Sequence, residues 1–178
     1  MLIKKSMKKL LFIIIISFIS QYSFSQKVGF EFGYNFAKLS EQENKEGIST
    51  FQIGIMADLM KQENYFHVNT GLKFNQKGYN NIPKGLTNSK IRINYLEIPI
   101  NFGLYLMNKG NNSSFFLQLG PYLAFSLMKA YSNDYGLNGG IGVDTRHMKI
   151  TIAYSRGFNE VEYERENRVF SAIITIFL

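Results

Sequence analysis

The sequence predicts an all-β fold: an eight-stranded antiparallel up-and-down transmembrane β-barrel, preceded by a cleaved signal peptide. Three observations carry that prediction. Apolar and polar residues alternate with period two through most of the chain after residue 26, which is the pattern of strands with two unlike faces. The apolar set is bulky, whereas the opposite set is small or polar. The connections between strands alternate between short and mostly longer, as at the two rims of an outer-membrane barrel.

The leader comes first. Lys4, Lys5, Lys8 and Lys9 precede the apolar run Leu10–Ile19, and Ser23 and Ser25 supply small residues before a cut at Gln26. This is the arrangement of a secretory signal, and the run is short for a helical span. Residues 1–25 are therefore expected to be removed, leaving 26–178 as one barrel domain, with Met7 as a second possible start. Removal takes four of the 20 Lys and Arg and none of the 13 Asp and Glu, so the net charge falls from +7 to +3. No basic stripe with interleaved aromatics remains, so no nucleic-acid partner is expected. The chain has no Cys, which excludes disulfides, thiolate metal sites and a cysteine-linked lipid anchor.

The strands follow in order. Lys27–Lys38 sets Val28, Phe30, Phe32, Tyr34 and Phe36 against Gly29, Glu31, Gly33, Asn35 and Ala37. Thr50–Met60 sets Phe51, Ile53, Ile55, Ala57 and Leu59 against Thr50, Gln52, Gly54, Met56 and Asp58. Tyr65–Gln76 opposes Phe66, Val68, Leu72 and Phe74 to His67, Asn69, Gly71, Lys73 and Asn75. In Lys90–Met107 the apolar positions are odd up to Tyr95 and even from Leu96. Either a β-bulge restores the parity there, or the first part projects beyond the membrane. Ser114–Leu127, Tyr135–Thr145, Met148–Gly157 and Arg168–Leu178 complete the set. An even count places both termini at one rim, expected to be periplasmic.

The content of the two faces decides between a membrane and a soluble barrel. Eight strands leave an interior only wide enough for side chains to fill, and an inward row of Phe, Leu and Ile would overfill it. Gly, Asn, Gln, Ser and Thr fit that space, and the bulky rows fit lipid. Two prolines, Pro99 and Pro121, fall inside strands, where each removes a ladder hydrogen bond; a bulge or kink is expected at each.

Several strings resemble one family. Tyr95-Leu96-Glu97-Ile98-Pro99-Ile100 is similar to the YLEIP motif of the Bacteroidetes outer-membrane β-barrel family that includes the PorT-like proteins. Val28-Gly29-Phe30 through Gly33-Tyr34-Asn35-Phe36, Gly120-Pro121-Tyr122, Gly139-Gly140-Ile141-Gly142 and Tyr154-Ser155-Arg156-Gly157-Phe158-Asn159 resemble its other strands. The resemblance implies an eight-stranded barrel in the cell outer membrane. Its PorT branch is associated with type IX secretion and gliding, while most members have no assigned activity.

Candidate functional residues are few. Lys73 and Glu97 are expected on adjacent strands facing the lumen with Glu31, forming a buried charge network that plugs it, since buried charges need partners. Asp58 and His67 are expected to face inward nearer the periplasmic rim. His67 and His147 have no Ser and carboxylate at strand spacing, so no hydrolase triad, no metal and no cofactor are expected, and the protein is expected not to be an enzyme. The loop containing Glu160, Glu162, Tyr163 and Glu164, and the segment containing Tyr79 and Asn80, are the candidate extracellular contact loops. The expected partners are outer-membrane lipid and lipopolysaccharide, the barrel-insertion machinery during assembly, and other envelope proteins. The expected role is a non-enzymatic integral outer-membrane barrel serving envelope structure or loop-mediated binding. The alternatives are an accessory of a type IX secretion or gliding apparatus and, less favoured, a lipid-modifying enzyme.

Overall fold

The computed structural model describes residues 27–39, 45–62, 65–81, 89–106, 113–145, 147–159 and 166–178. Residues 1–25, expected to be a leader, lie outside the described residues. The elements are β1 (Lys27–Leu39), β2 (Lys45–Glu46), β3 (Ile48–Gln62), β4 (Phe66–Asn81), β5 (Ser89–Tyr105), β6 (Ser113–Ser126), β7 (Asp134–Thr145), β8 (Met148–Gly157) and β9 (Asn167–Phe177). Apart from the two-residue β2, eight long strands pair antiparallel, each with its neighbours in sequence. The β1–β9 and β4–β5 pairings close the sheet. This is the expected eight-stranded up-and-down barrel. A closed ladder leaves no strand edge to be satisfied by water, the condition for crossing hydrocarbon.

The faces are inverted relative to a soluble barrel. Phe30, Phe32, Phe36, Ile55, Phe115, Leu119 and Ile152 are exposed, each between 46 and 59%. Glu31, Asn35, Gln52, Asn69, Asn75, Asn101 and Gln118 are buried. On β6 the outward row runs from Phe115 to Phe125, matching the roughly 9–11 residues a tilted strand needs to cross a bilayer core. Tyr65 ends this surface at the short-turn rim, and Tyr135 and Phe158 pack edge to face, 6.4 Å apart, near the opposite rim. Such amphipathic rings suit membrane–water interfaces.

Two expectations about strand irregularities are corrected. No bulge lies at Tyr95/Leu96. The β4–β5 and β5–β6 registers run through it unchanged, and Ile93 and Tyr95 point inward with Glu97. Parity was never broken; the inner face itself turns apolar near that end. Among the described residues the one register shift is in β3, between Asp58 and Met60. The prolines also need no bulge. Cross-strand pairing lapses for two residues beside each, between Thr70↔Ile100 and Lys73↔Glu97, and between Pro99↔Tyr122 and Phe102↔Leu119, and then resumes in register. The Thr70 hydroxyl donates to the Pro99 carbonyl at 2.6 Å, supplying a local hydrogen bond in the interrupted stretch.

Candidate functional site

The interior of the described barrel gathers many of its charged side chains. It divides into two clusters. The first lies toward the long-loop rim and is built on directly paired strands. Lys73 stands opposite Glu97 in the β4–β5 ladder, so their side chains enter the lumen side by side. Lys73 Nζ is 3.2 Å from Glu97 and 3.6 Å from Glu31. The three predicted lumen residues are thus in one network.

The network extends beyond them. Lys77 Nζ lies 3.0 Å from both Glu97 and Asp134. Asp134 Oδ2 also accepts from Tyr122 Oη and Asn167 Nδ2, each at 3.0 Å. Gln52 donates to Glu31 at 3.0 Å and accepts from Lys73 at 3.4 Å, and Asn75 donates to Glu97 at 2.9 Å. Lys77 sits over the Tyr122 ring, 4.1 Å from its centroid, and 5.3 Å from that of Tyr95. Each buried carboxylate therefore faces a cation or amide donors, which is what makes ionised groups tolerable away from water. Above them Ile93, Tyr95, Tyr122 and Ala124 form an apolar core, with Ile91 and Tyr131 packed against it.

Lys77 and Asp134 fall in segments the sequence marks as loops. Both strands continue further than expected, and that extension brings them inside. The signal in the sequence is parity: Lys77 continues the odd, inward positions Lys73 and Asn75. Gly157 makes room on the far wall, since a β-carbon there would press on the Asp134 carboxylate.

The second cluster lies toward the short-turn rim. The His67 ring packs 4.8 Å from Tyr105 and 5.5 Å from Phe116. Its Nε2 is 3.1 Å from Lys149 Nζ, which also lies 4.3 Å from the Phe116 centroid. The Tyr105 hydroxyl donates to Asp144. Gly103, paired with His67 across β4–β5, leaves the space the imidazole occupies. Asp58 is buried at this end as well.

Between the clusters lies a cavity of about 20 Å³ lined by Glu31, Asp58, Asn69, Asn101, Gln118 and Lys149, among others. That is room for about one water molecule, not for a continuous aqueous path. Among the described residues no three His, Asp or Glu side chains group to hold a metal ion.

One contact prediction is corrected. Tyr79 and Asn80 are not on an exposed loop. They belong to β4, pair with Ile91 and Lys90 of β5, and are buried, Tyr79 completely. Lys77, Gly78, Tyr79 and Asn80 are all buried, so the in–out alternation stops there. Gly78 has φ of +151°, and β2 pairs with Asn80 and Asn81 from the other side. An Asn-, Gly- and Tyr-rich stretch looks like a loop locally, but cross-strand partners hold it in the sheet. Glu160, Glu162, Tyr163 and Glu164 lie outside the described residues.

A closed eight-stranded barrel with an apolar outer wall and a polar, filled lumen defines an integral outer-membrane β-barrel. The chain belongs to the family described as "Outer membrane protein beta-barrel domain", which matches residues 20–163. Among solved structures it is similar to the outer membrane protein OprG from Pseudomonas aeruginosa, at 15% identity over 85% of this chain and 91% of that one, with a TM-score of 0.48. It is also similar to Neisserial surface protein A, at 12% identity over 86% and 97% with a TM-score of 0.47. E. coli outer membrane protein W is similar at 9% identity over 88% and 100%, with a TM-score of 0.45. No curated protein matches this chain in sequence.

Proposed function

We propose that this protein is a non-enzymatic, non-conducting outer-membrane barrel that serves envelope structure or presents its long-loop rim to a partner. The observation that carries the reading is the filled lumen. Two side-chain clusters occupy it, and the cavity between them is about 20 Å³. In planar bilayers the purified chain is expected to give no conductance steps. Reproducible steps from the wild-type protein would overturn the plugged-lumen reading.

In this reading residues 1–25 are a cleaved leader, both barrel ends at the short-turn rim are periplasmic, and the long loops are extracellular. Support comes from the Lys-rich, apolar start of the chain and from the loop asymmetry of such barrels. Lysine labelling of intact cells, with Lys129 of the β6–β7 connection as the reporter, tests the orientation. Labelling only after the cells are broken would reverse it.

A second reading rests on the Tyr95–Ile100 string, which is similar to the PorT-like motif. It makes the protein a Bacteroidetes barrel that assists type IX secretion or gliding through other envelope proteins. Co-purification of secretion components with the tagged barrel would favour it, and normal secretion in a deletion strain would count against it. Lipid modification is the weakest reading, and unchanged lipid A in the same strain would remove it.

A further inference from the structure

Three cations form a row on the outer wall at the long-loop rim. Lys38 of β1 stands directly opposite Arg168 of β9, and Arg168 directly opposite Arg156 of β8. Each occupies an outward position in its strand. Neighbouring strands are about 4.8 Å apart, so the row spans about 10 Å. Like charges placed directly across a ladder repel and destabilise the pair.

Only part of this charge is offset within the described chain. Arg156 Nε meets Glu166 at 2.9 Å. Arg168 Nε is buried and meets no hydrogen-bond partner among the described residues. Immediately toward the membrane lies a second cross-strand row, Phe36↔Phe170↔Tyr154, all exposed. Cations thus stand one step above rings in the outward-facing wall.

We infer that this row of Lys38, Arg168 and Arg156 is a binding site for the phosphorylated headgroup of a membrane lipid, whose acyl chains lie along the aromatic row beneath. The chemistry fits at each level. Guanidinium groups bind phosphate oxygens in fork geometry, and a lysine adds a third positive point. The rings mark the interfacial depth at which headgroups sit, and basic clusters at that depth attract anionic lipid. A phosphate bridging the three cations would relieve the repulsion that the register imposes. The assignment of the lipid to the outer leaflet rests on the orientation proposed above; the site itself does not.

The test uses the full mature chain refolded in nanodiscs of phosphatidylcholine, alone or doped with lipid A or with enzymatically dephosphorylated lipid A. The readout is the unfolding temperature. Lipid A is expected to raise it by several degrees, and the dephosphorylated lipid to do markedly less. In K38Q/R168Q the rise is expected to fall by at least half, whereas in K90Q/R92Q, with the same charge loss on β5, it should be retained. The unheated gel shift checks that each variant folds; should the double variant fail, K38Q, at an exposed position, is expected to give a smaller loss of the same kind.

An equal rise in wild type and K38Q/R168Q would overturn the site. So would equal losses in both double variants, which would indicate diffuse rim charge. A full rise with inorganic phosphate would replace the lipid by a free anion. If E160Q/E162Q/E164Q lowers the unfolding temperature while lipid A leaves the wild type unmoved, the row is paired within the chain and the proposal fails. None of these readouts depends on orientation, which lysine labelling of cells tests separately.

Discussion

The two ends of the lumen are filled by different physics. Toward the long loops, Lys73 and Lys77 are threaded between Glu31, Glu97 and Asp134, and amides and a tyrosine complete the hydrogen bonding. Toward the short turns, the packing is mostly between rings, with Lys149 laid on Phe116 and against His67. One end depends on matched charges with shared partners. The other depends mainly on rings packed against one another, with a single lysine laid among them. The difference teaches where the barrel is brittle: a network fails as a unit, because removing one member strands the others.

The largest effect should come from Lys77→Met. It leaves Glu97 and Asp134 in the interior without the cation they share, and breaking a buried pair in this way costs about 3–5 kcal/mol. Urea unfolding in lipid vesicles, followed by tyrosine fluorescence because the chain has no Trp, measures it. A loss below about 1 kcal/mol would remove the distinction between the two ends.

Glu97→Gln is the next test. Lys73 and Lys77 both lose a carboxylate but keep Glu31 and Asp134, so about 2–3 kcal/mol is expected, with membrane insertion retained. An unchanged unfolding midpoint would mean that Glu97 has no ionic role in the folded barrel.

Gly157→Ala probes the same end by volume rather than charge. The added methyl presses on Asp134, and overpacking of this kind costs about 1–3 kcal/mol. Normal stability would show that the carboxylate has room to move.

The smallest effect is expected at the other end. Phe116→Leu keeps the site apolar, and as a swap of one hydrophobic side chain for another it should cost about 1 kcal/mol. It shares no partner with Glu97, so the double variant should be additive within about 0.5 kcal/mol. Strong coupling between them would make the lumen a single unit and dissolve the comparison.

Much of this was legible before any coordinates. Strand after strand, alternation placed Phe, Ile and Leu on one face, and a narrow barrel can only turn that face outward. Glu31, Lys73 and Glu97 could be assigned to the lumen because parity alone says which way a strand residue points. Apart from the bulges expected at Pro99 and Pro121, the misreadings sit at the long-loop rim. Tyr79 and Asn80 looked like loop because Asn and Gly break local strand preference; their partners lie on β5 and β2, outside any local window. Lys77 and Asp134 were missed for the same reason. Ile93 and Tyr95 were misread differently: an apolar inner face mimics a parity change, and only the unbroken register shows otherwise.

By itself, then, the sequence determined which side of each strand meets lipid and which meets the lumen, because side chains alternate in direction along every strand. The tertiary structure alone decided which lumen residues touch. Lys77 and Asp134 are 57 residues apart, and Lys38, Arg168 and Arg156 form a row only because two registers line up. Register across non-adjacent strands is fixed by closure of the whole barrel, and no local pattern encodes it.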